Sequence, residues 1–234
     1  MKLSPLLPLT LAATFPAMAL PMMTLDQQFD TMEKAARGAL DTRQFTLDGV
    51  VVTAWLDGDM PVIIAVPRLD EKGQEQGVNR YYFKGGVLFG VREPESRFQF
   101  EQGKLMAWLD EEGQPQPFVS QVSLAQREQW LLKRAAQLRG LFTPSRGEQL
   151  LDRQDPSVKV TGTDRTQWLC HDKLVTLTGG EKVIFDAGKV QASEQGVKGR
   201  VSLLKGDDWQ DLDMQCHVRG YRVVSLIWRA PKRS

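Results

Sequence analysis

Two Cys-His dipeptides, Cys170-His171 and Cys216-His217, hold both cysteines and both histidines of the 234-residue chain. Two thiols and two imidazoles could bind zinc, but adjacent ligands lack the spacing of the usual structural zinc sites. If both dipeptides lie in strands, the cysteines face one way and the histidines the other, because successive side chains alternate between faces. We expect a Cys170–Cys216 disulfide, because the export predicted for this chain would place its two cysteines where disulfides persist. His171 and His217, roughly 7–8 Å apart on the opposite face, are weak metal candidates, and we predict no metal.

A second candidate is the acidic segment around Trp209, which contains Asp207, Asp208, Asp211 and Asp213. Calcium needs six or more oxygen ligands at fixed loop spacing, and this segment lacks the EF-hand pattern and its closing glutamate. We expect a solvated loop with a buried Trp209.

Common catalytic motifs are missing: the sequence has no G-x-S-x-G, H-E-x-x-H, P-loop or Rossmann glycine pattern. A Ser-His-Asp triad would need His171 or His217, both beside the expected disulfide. A hydrolase with paired carboxylates needs no histidine, but nothing singles out two of the acidic residues. We leave enzymatic activity open, favour a non-enzymatic protein, and expect no cofactor.

Apolar side chains occur on both faces of several predicted strands, and residues 62–66 are apolar throughout. Such a sheet must be covered on both faces. Helices would cover one face, and the other would meet a second domain, a partner chain or a ligand groove. Packing between two domains is the simpler interpretation. If the second face is a groove, the residues that we expect to bind are Trp55, Tyr82, Met106 and Trp108.

The elements that position these residues begin with a helix, because Thr24 and Gln27 have capping-box spacing. Its apolar side would carry Leu25, Phe29, Met32 and Ala36. Strand patterns separated by glycine-containing turns follow from Phe45 to Asp110, and helical spacing returns from Leu124 to Leu141. Residues 20–142 are thus predicted to form an α+β domain, an antiparallel β-meander flanked by two helices.

The C-terminal part shows strand patterns only. Residues 143–156 are rich in breaking residues and are predicted to be a linker. The pieces that follow, among them Trp168–Cys170 and Leu174–Leu177, are short and punctuated by glycines. Residues 157–234 are therefore expected to form a small all-β domain, a barrel or sandwich stapled by the disulfide.

The first 19 residues have the pattern of a cleaved signal peptide. Lys2 precedes an apolar run, and Ala17-Met18-Ala19 provides an A-x-A site. An uncleaved anchor is the alternative, but four prolines between residues 5 and 21 oppose a spanning helix. We expect cleavage after Ala19, no membrane span in the mature chain, and a periplasmic or extracellular location.

Thirty basic against twenty-nine acidic residues leave a net charge of +1, which argues against nucleic acid as a partner. We therefore expect a binding or interaction protein of the periplasm or cell envelope, with a protein partner or a ligand. The alternatives are a carboxylate-dependent hydrolase acting on an envelope polymer and a structural or assembly protein.

Overall fold

The computed structural model describes residues 23–178 and 182–231. The predicted signal peptide, residues 1–19, lies outside them. Within the described residues the chain forms helices and strands in the order α1 (Leu25–Ala39), β1 (Asp41–Leu47), β2 (Val50–Asp57), β3 (Met60–Leu69), β4 (Glu75–Lys84), β5 (Val87–Arg92), β6 (Ser96–Glu101), β7 (Lys104–Asp110), α2 (Gln121–Phe142), α3 (Arg146–Asp152), α4 (Gly162–Leu177), β8 (Val183–Ser193), β9 (Gly196–Lys205), β10 (Asp208–Arg219) and β11 (Arg222–Arg229).

All of these strands belong to one 11-stranded sheet with the order β7-β6-β5-β4-β3-β2-β1-β11-β10-β9-β8. Strands that are consecutive in sequence pair antiparallel within β1–β7 and within β8–β11. The two runs meet where β1 pairs parallel with β11, with Thr46 opposite Ser225 and Leu47 opposite Leu226. A parallel pair needs a long crossover, and α2, α3 and α4 lie in the connection between the two runs.

Helix α1 packs on one face of the sheet. The predicted capping box is confirmed: the backbone N–H of Gln27 donates to Thr24 Oγ1 at 3.2 Å, and Gln27 Oε1 accepts from the backbone of Thr24 at 2.9 Å. Leu25, Phe29 and Ala36 are buried on the side that the spacing indicates. They form a cluster with Ile63 and Tyr82 of the sheet.

Helices α2 and α4 cover the other face, where most of the buried apolar side chains form the larger core cluster. The predicted positions Leu131, Ala135 and Leu138 of α2 are buried. The expectation that apolar strands are covered on both faces is therefore confirmed for β3 and β4. It is α1 that covers the second face there, and no second domain is needed for this.

The expected all-β character of the C-terminal part is wrong. Residues 168–170 and 174–177, predicted as strands, belong to the single helix α4. Its buried positions are Thr166, Leu169, Cys170, Lys173, Leu174 and Leu177, and their offsets of three, four, seven, eight and eleven residues from Thr166 are those of one helical face. The apolar pieces were each too short for periodicity alone to separate strand from helix.

The expected separate barrel or sandwich is also not what forms. Strands β8–β11 extend the same sheet that contains the meander β1–β7. The predicted linker, residues 143–156, contains the short helix α3. The domain boundaries proposed from the sequence stay a prediction. Among the described residues, none of the helices is both long enough and apolar enough to cross a membrane.

Candidate binding groove

The predicted disulfide is confirmed. Cys170 and Cys216 are bonded, with their Cα atoms 6.1 Å apart, and both are fully buried. The expected geometry of two adjacent strands is wrong, because Cys170 lies on α4 and Cys216 on β10. The bond therefore fastens the helical layer to the sheet.

The two histidines consequently lie on different elements, and the diagonal arrangement expected for paired strands is wrong. His171 on α4 has its Nε2 3.0 Å from the carbonyl oxygen of Val183 and packs edge-on against Phe185. His217 on β10 is exposed, with its Nε2 3.0 Å from the Gln215 side-chain amide. No group of three or more potential metal-binding His, Cys, Asp or Glu side chains occurs among the described residues.

Two of the four candidate aromatic-face residues lie together under α1. Tyr82 is fully buried and stacks on Phe29, with 4.1 Å between ring centroids and 8° between ring planes. Its hydroxyl donates to Glu33 Oε1 at 2.5 Å. Burial and this hydrogen bond to a carboxylate raise the pKa of Tyr82. Trp55 is partly buried against the same cluster.

The other two residues lie elsewhere. Trp108 packs in the larger core cluster on the opposite face, 5.2 Å from Phe98 between ring centroids. Met106, 59% exposed, lies at an irregularity in the pairing of β6 and β7. The structure therefore does not bring the four together on one surface, and a binding role for them stays a prediction.

The acidic segment contributes to the β9–β10 turn and forms the start of β10. The expectation of a buried Trp209 is wrong, since 49% of this residue is exposed. Asp211 accepts a hydrogen bond from Ser202 at 2.8 Å and Asp213 one from Arg200 at 3.2 Å, both across the β9–β10 pair. These contacts between neighbouring strands give both carboxylates a protein partner, a hydroxyl for Asp211 and a guanidinium for Asp213.

A buried ion pair that sequence reasoning missed joins α3 and α4. Lys173 and Glu148 are each 1% exposed, and Lys173 Nζ lies 3.2 Å from Glu148 Oε2. Nζ also donates to the carbonyl oxygen of Thr143 at 2.9 Å, at the end of α2. Glu148 accepts from the backbone N–H of Ser145 at 2.6 Å and of Val223 at 2.8 Å.

The pair thus ties α2, α3 and α4 to β11 through one set of hydrogen bonds. Burial lowers the pKa of Lys173, and the attraction of Glu148 opposes that effect. The Ser145 and Glu148 spacing is a capping box that could have been found in the sequence. The burial of Lys173 has no such signal, because lysine is rarely a core residue.

A surface groove runs over the crossing of α2 and α4, directly outside this buried pair. We call it the α2–α4 groove. Its floor consists of the small residues Ala136, Gly140 and Thr176, which line both a cleft of about 580 Å³ and a neighbouring cleft of about 460 Å³. A Cβ atom added at Gly140 would lie 3.1 Å from Leu177 Cδ2. Glycine at this position of α2 therefore leaves room for the Leu177 side chain of α4.

The larger cleft has a basic rim. Arg139, Arg153 and Arg222 line it, together with Asp59 and Asp152. Arg222 lies 3.8 Å from Asp59 and 3.5 Å from Asp152, so one arginine pairs with both acids. Arg153 makes no ion pair with another described residue. Met60 and Pro61, at the β2–β3 turn, add apolar surface to this end.

The smaller cleft combines apolar and polar side chains. Leu177, Leu203, Leu212 and Trp228 are its large apolar residues, and Lys133 is its basic residue. The two clefts therefore share the small residues of the groove floor, and each offers both apolar surface and at least one basic side chain. Such a surface suits an elongated ligand that has both an apolar part and an anionic group.

Two carboxylates, Asp59 and Asp152, share the larger cleft, and both pair with Arg222. Burial raises the pKa of Glu93, while the neighbouring Arg127 guanidinium opposes the shift. Arg127 donates directly to the Glu93 carboxylate, and Glu93 lines neither cleft of the groove. This carboxylate is held by an ion pair and does not face a second carboxylate across a cleft.

Comparison with protein-family models, with curated proteins and with solved structures gave no significant match for this chain.

Proposed function

We propose that this chain is a non-enzymatic binding protein of the periplasm or cell envelope that holds a ligand in the α2–α4 groove. The observation that carries the proposal is the continuity of the groove. The same three small residues line a cleft that contains three arginines and a cleft that contains four large apolar side chains, so one elongated ligand can contact both.

Two features support the proposed location of the protein in the periplasm or cell envelope. The N-terminal pattern of Lys2, an apolar run and Ala17-Met18-Ala19 supports export. The disulfide between Cys170 and Cys216 supports an oxidising compartment, since disulfides persist there and are rare in the cytosol.

The ligand that fits is an anionic amphiphile. Its apolar part would pack against Trp228, which is only partly buried, and burying apolar surface contributes roughly 25 cal/mol per Å². Its anionic group would lie beside Arg153, which makes no ion pair with another described residue, in the cleft that Arg139 and Arg222 also line. Arginine suits this role because its planar guanidinium binds carboxylates and phosphates through two parallel hydrogen bonds.

Buried contacts between the surrounding helices and the sheet also hold the walls of the groove in place. Lys173 and Glu148 fix the ends of α2 and α3 against α4, and the disulfide holds α4 on the sheet. A site whose walls are fixed before binding loses less conformational entropy on binding.

The test uses anilinonaphthalene sulfonate, a probe with apolar rings and one sulfonate, titrated into the mature protein and followed by fluorescence. We expect saturable binding that the Ala136→Trp variant loses, since an indole at this exposed floor position would fill the junction of the clefts. Ala125→Trp is the matched control, because Ala125 is exposed on the same helix and lines neither cleft. Equal binding by both variants and the wild type would refute the groove as the site.

A further inference from the structure

We propose that a second site, distinct from the α2–α4 groove, binds an oxyanion such as a carboxylate or a phosphate. It is a cleft of about 720 Å³ beside the first turn of α4, between the β8–β9 and β10–β11 turns. We call it the turn pocket. The residues that matter in it are Arg165, Glu194, His217, Arg219 and Tyr221.

Hydrogen bonds between the surrounding elements hold the turn pocket in shape. Thr166 Oγ1 on α4 donates to the carbonyl oxygen of Glu194 at 3.2 Å, which ties the helix to the β8–β9 turn. The backbone N–H of Val218 donates to the carbonyl oxygen of Gln195 at 2.8 Å, which ties β10 to the same turn. The buried Cys170–Cys216 bond joins α4 and β10 as well. The walls are therefore fixed without a ligand.

Two arginines line the turn pocket without a carboxylate partner. Within residues 23–178 and 182–231, neither Arg165 nor Arg219 makes an ion pair or a side-chain hydrogen bond. Arg165 is half-buried, its guanidinium carbon lies 5.7 Å from the centre of the Tyr221 ring, and its Nε is buried with no acceptor. Arg92 and Arg127 also have an unpaired Nε, but their other nitrogens contact carboxylates.

An arginine held against an aromatic ring with no acceptor is set up for an oxyanion. Its donors form a rigid fork that matches a carboxylate or phosphate, and stacking on a ring reduces the freedom lost on binding. His217 also lines the turn pocket, with its Nε2 3.0 Å from the Gln215 side-chain amide.

Glu194 is the one acidic side chain that lines the turn pocket. It lies beyond ion-pair distance of both arginines, and the two arginines and one glutamate of the lining sum to a charge of +1. This balance favours a single small anionic group over a polyanion, because each further negative charge would meet the Glu194 carboxylate without a further cation.

The test is an NMR titration of the mature, disulfide-bonded protein with inorganic phosphate and, separately, with acetate, at constant ionic strength. We expect saturable shifts of the backbone amides of Gln195, Gly220 and Tyr221. Because a charge-assisted hydrogen bond contributes roughly 1.5–3 kcal/mol, Arg165→Gln should weaken binding at least about tenfold. Stronger binding of phosphate than of acetate would identify a phosphate-bearing ligand, and the reverse a carboxylate.

Arg219→Gln is the second variant. It changes an exposed residue at the end of β10, so folding is not at risk, and it should also weaken binding. Arg37→Gln, an exposed arginine on α1, is the matched control and should bind as the wild type does. Ala136→Trp should leave these shifts intact, which separates this site from the α2–α4 groove. Shifts that do not saturate, or that persist unchanged in Arg165→Gln and Arg219→Gln, would overturn the proposal.

Discussion

Removing the charge of Lys173 should destabilise the protein more than any surface substitution. Lys173→Met keeps an unbranched side chain, one atom shorter, but leaves the Glu148 carboxylate, 1% exposed, without its cation. The carboxylate keeps its two backbone N–H donors, from Ser145 and Val223. The carbonyl oxygen of Thr143 loses the ammonium donor at 2.9 Å.

Breaking a buried ion pair on one side costs about 3–5 kcal/mol, because the remaining charge is left desolvated and unpaired. For a protein of this size each kcal/mol lowers Tm by roughly 2–4 °C, so the expected fall in Tm is about 6–20 °C. Urea unfolding followed by far-UV circular dichroism and a thermal scan would measure both quantities.

Lys34→Met is the matched control, since Lys34 is exposed on α1; its change should stay within about 0.5 kcal/mol. Adding Glu148→Gln to Lys173→Met should cost less than the two separate losses combined, because the neutral amide that replaces the carboxylate no longer leaves a buried charge. A decrease of less than about 1 kcal/mol in the free energy of unfolding for Lys173→Met would refute the reasoning, since a buried carboxylate without its cation should destabilise the protein by more than that.

Two further predictions concern the disulfide and the core tyrosine. Replacing Cys170 and Cys216 together by alanine should lower the free energy of unfolding by up to about 4 kcal/mol, the loop-closure value for the separation of 46 residues; unchanged urea unfolding would contradict this. Burial raises the pKa of Tyr81 from 10.0 to about 12, so its contribution to stability is complete below pH 10 and is lost as the pH rises from 10 to 12. Each pKa unit corresponds to about 1.4 kcal/mol. The free energy of unfolding, measured between pH 10 and pH 12, should therefore fall less steeply for Tyr81→Phe than for the wild type. An equal slope in both proteins would show that Tyr81 does not cause the loss of stability.

Local features of the fold could be read from the sequence because they depend on neighbours along the chain. The Thr24 and Gln27 capping box and the buried side of α1 follow from spacing of three and four residues. The meander from β1 to β7 follows from strand patterns between turns. The disulfide followed from the presence of two cysteines in a chain with a predicted export signal.

The candidate sites depend instead on which elements meet. Ala136 and Gly140 come to face Thr176 only because α2 and α4 cross there, and Arg165 meets Tyr221 only because α4 packs beside the β10–β11 turn. The sequence offers no periodicity for such encounters between distant segments.

By itself, then, the sequence determined the helices and strands whose apolar residues recur with a clear period. It also determined the pairing of the two cysteines and the need to cover the apolar strands on both faces. Tertiary structure decided that residues 168–177 are helical. Four buried apolar residues and Lys173 on one side of this segment pack against the sheet as a helix, whereas each short piece alone was compatible with a strand. It also decided that all the described strands share one sheet, through the parallel pairing of β1 with β11, because hydrogen bonds between the two ends of the chain leave no local pattern in the sequence.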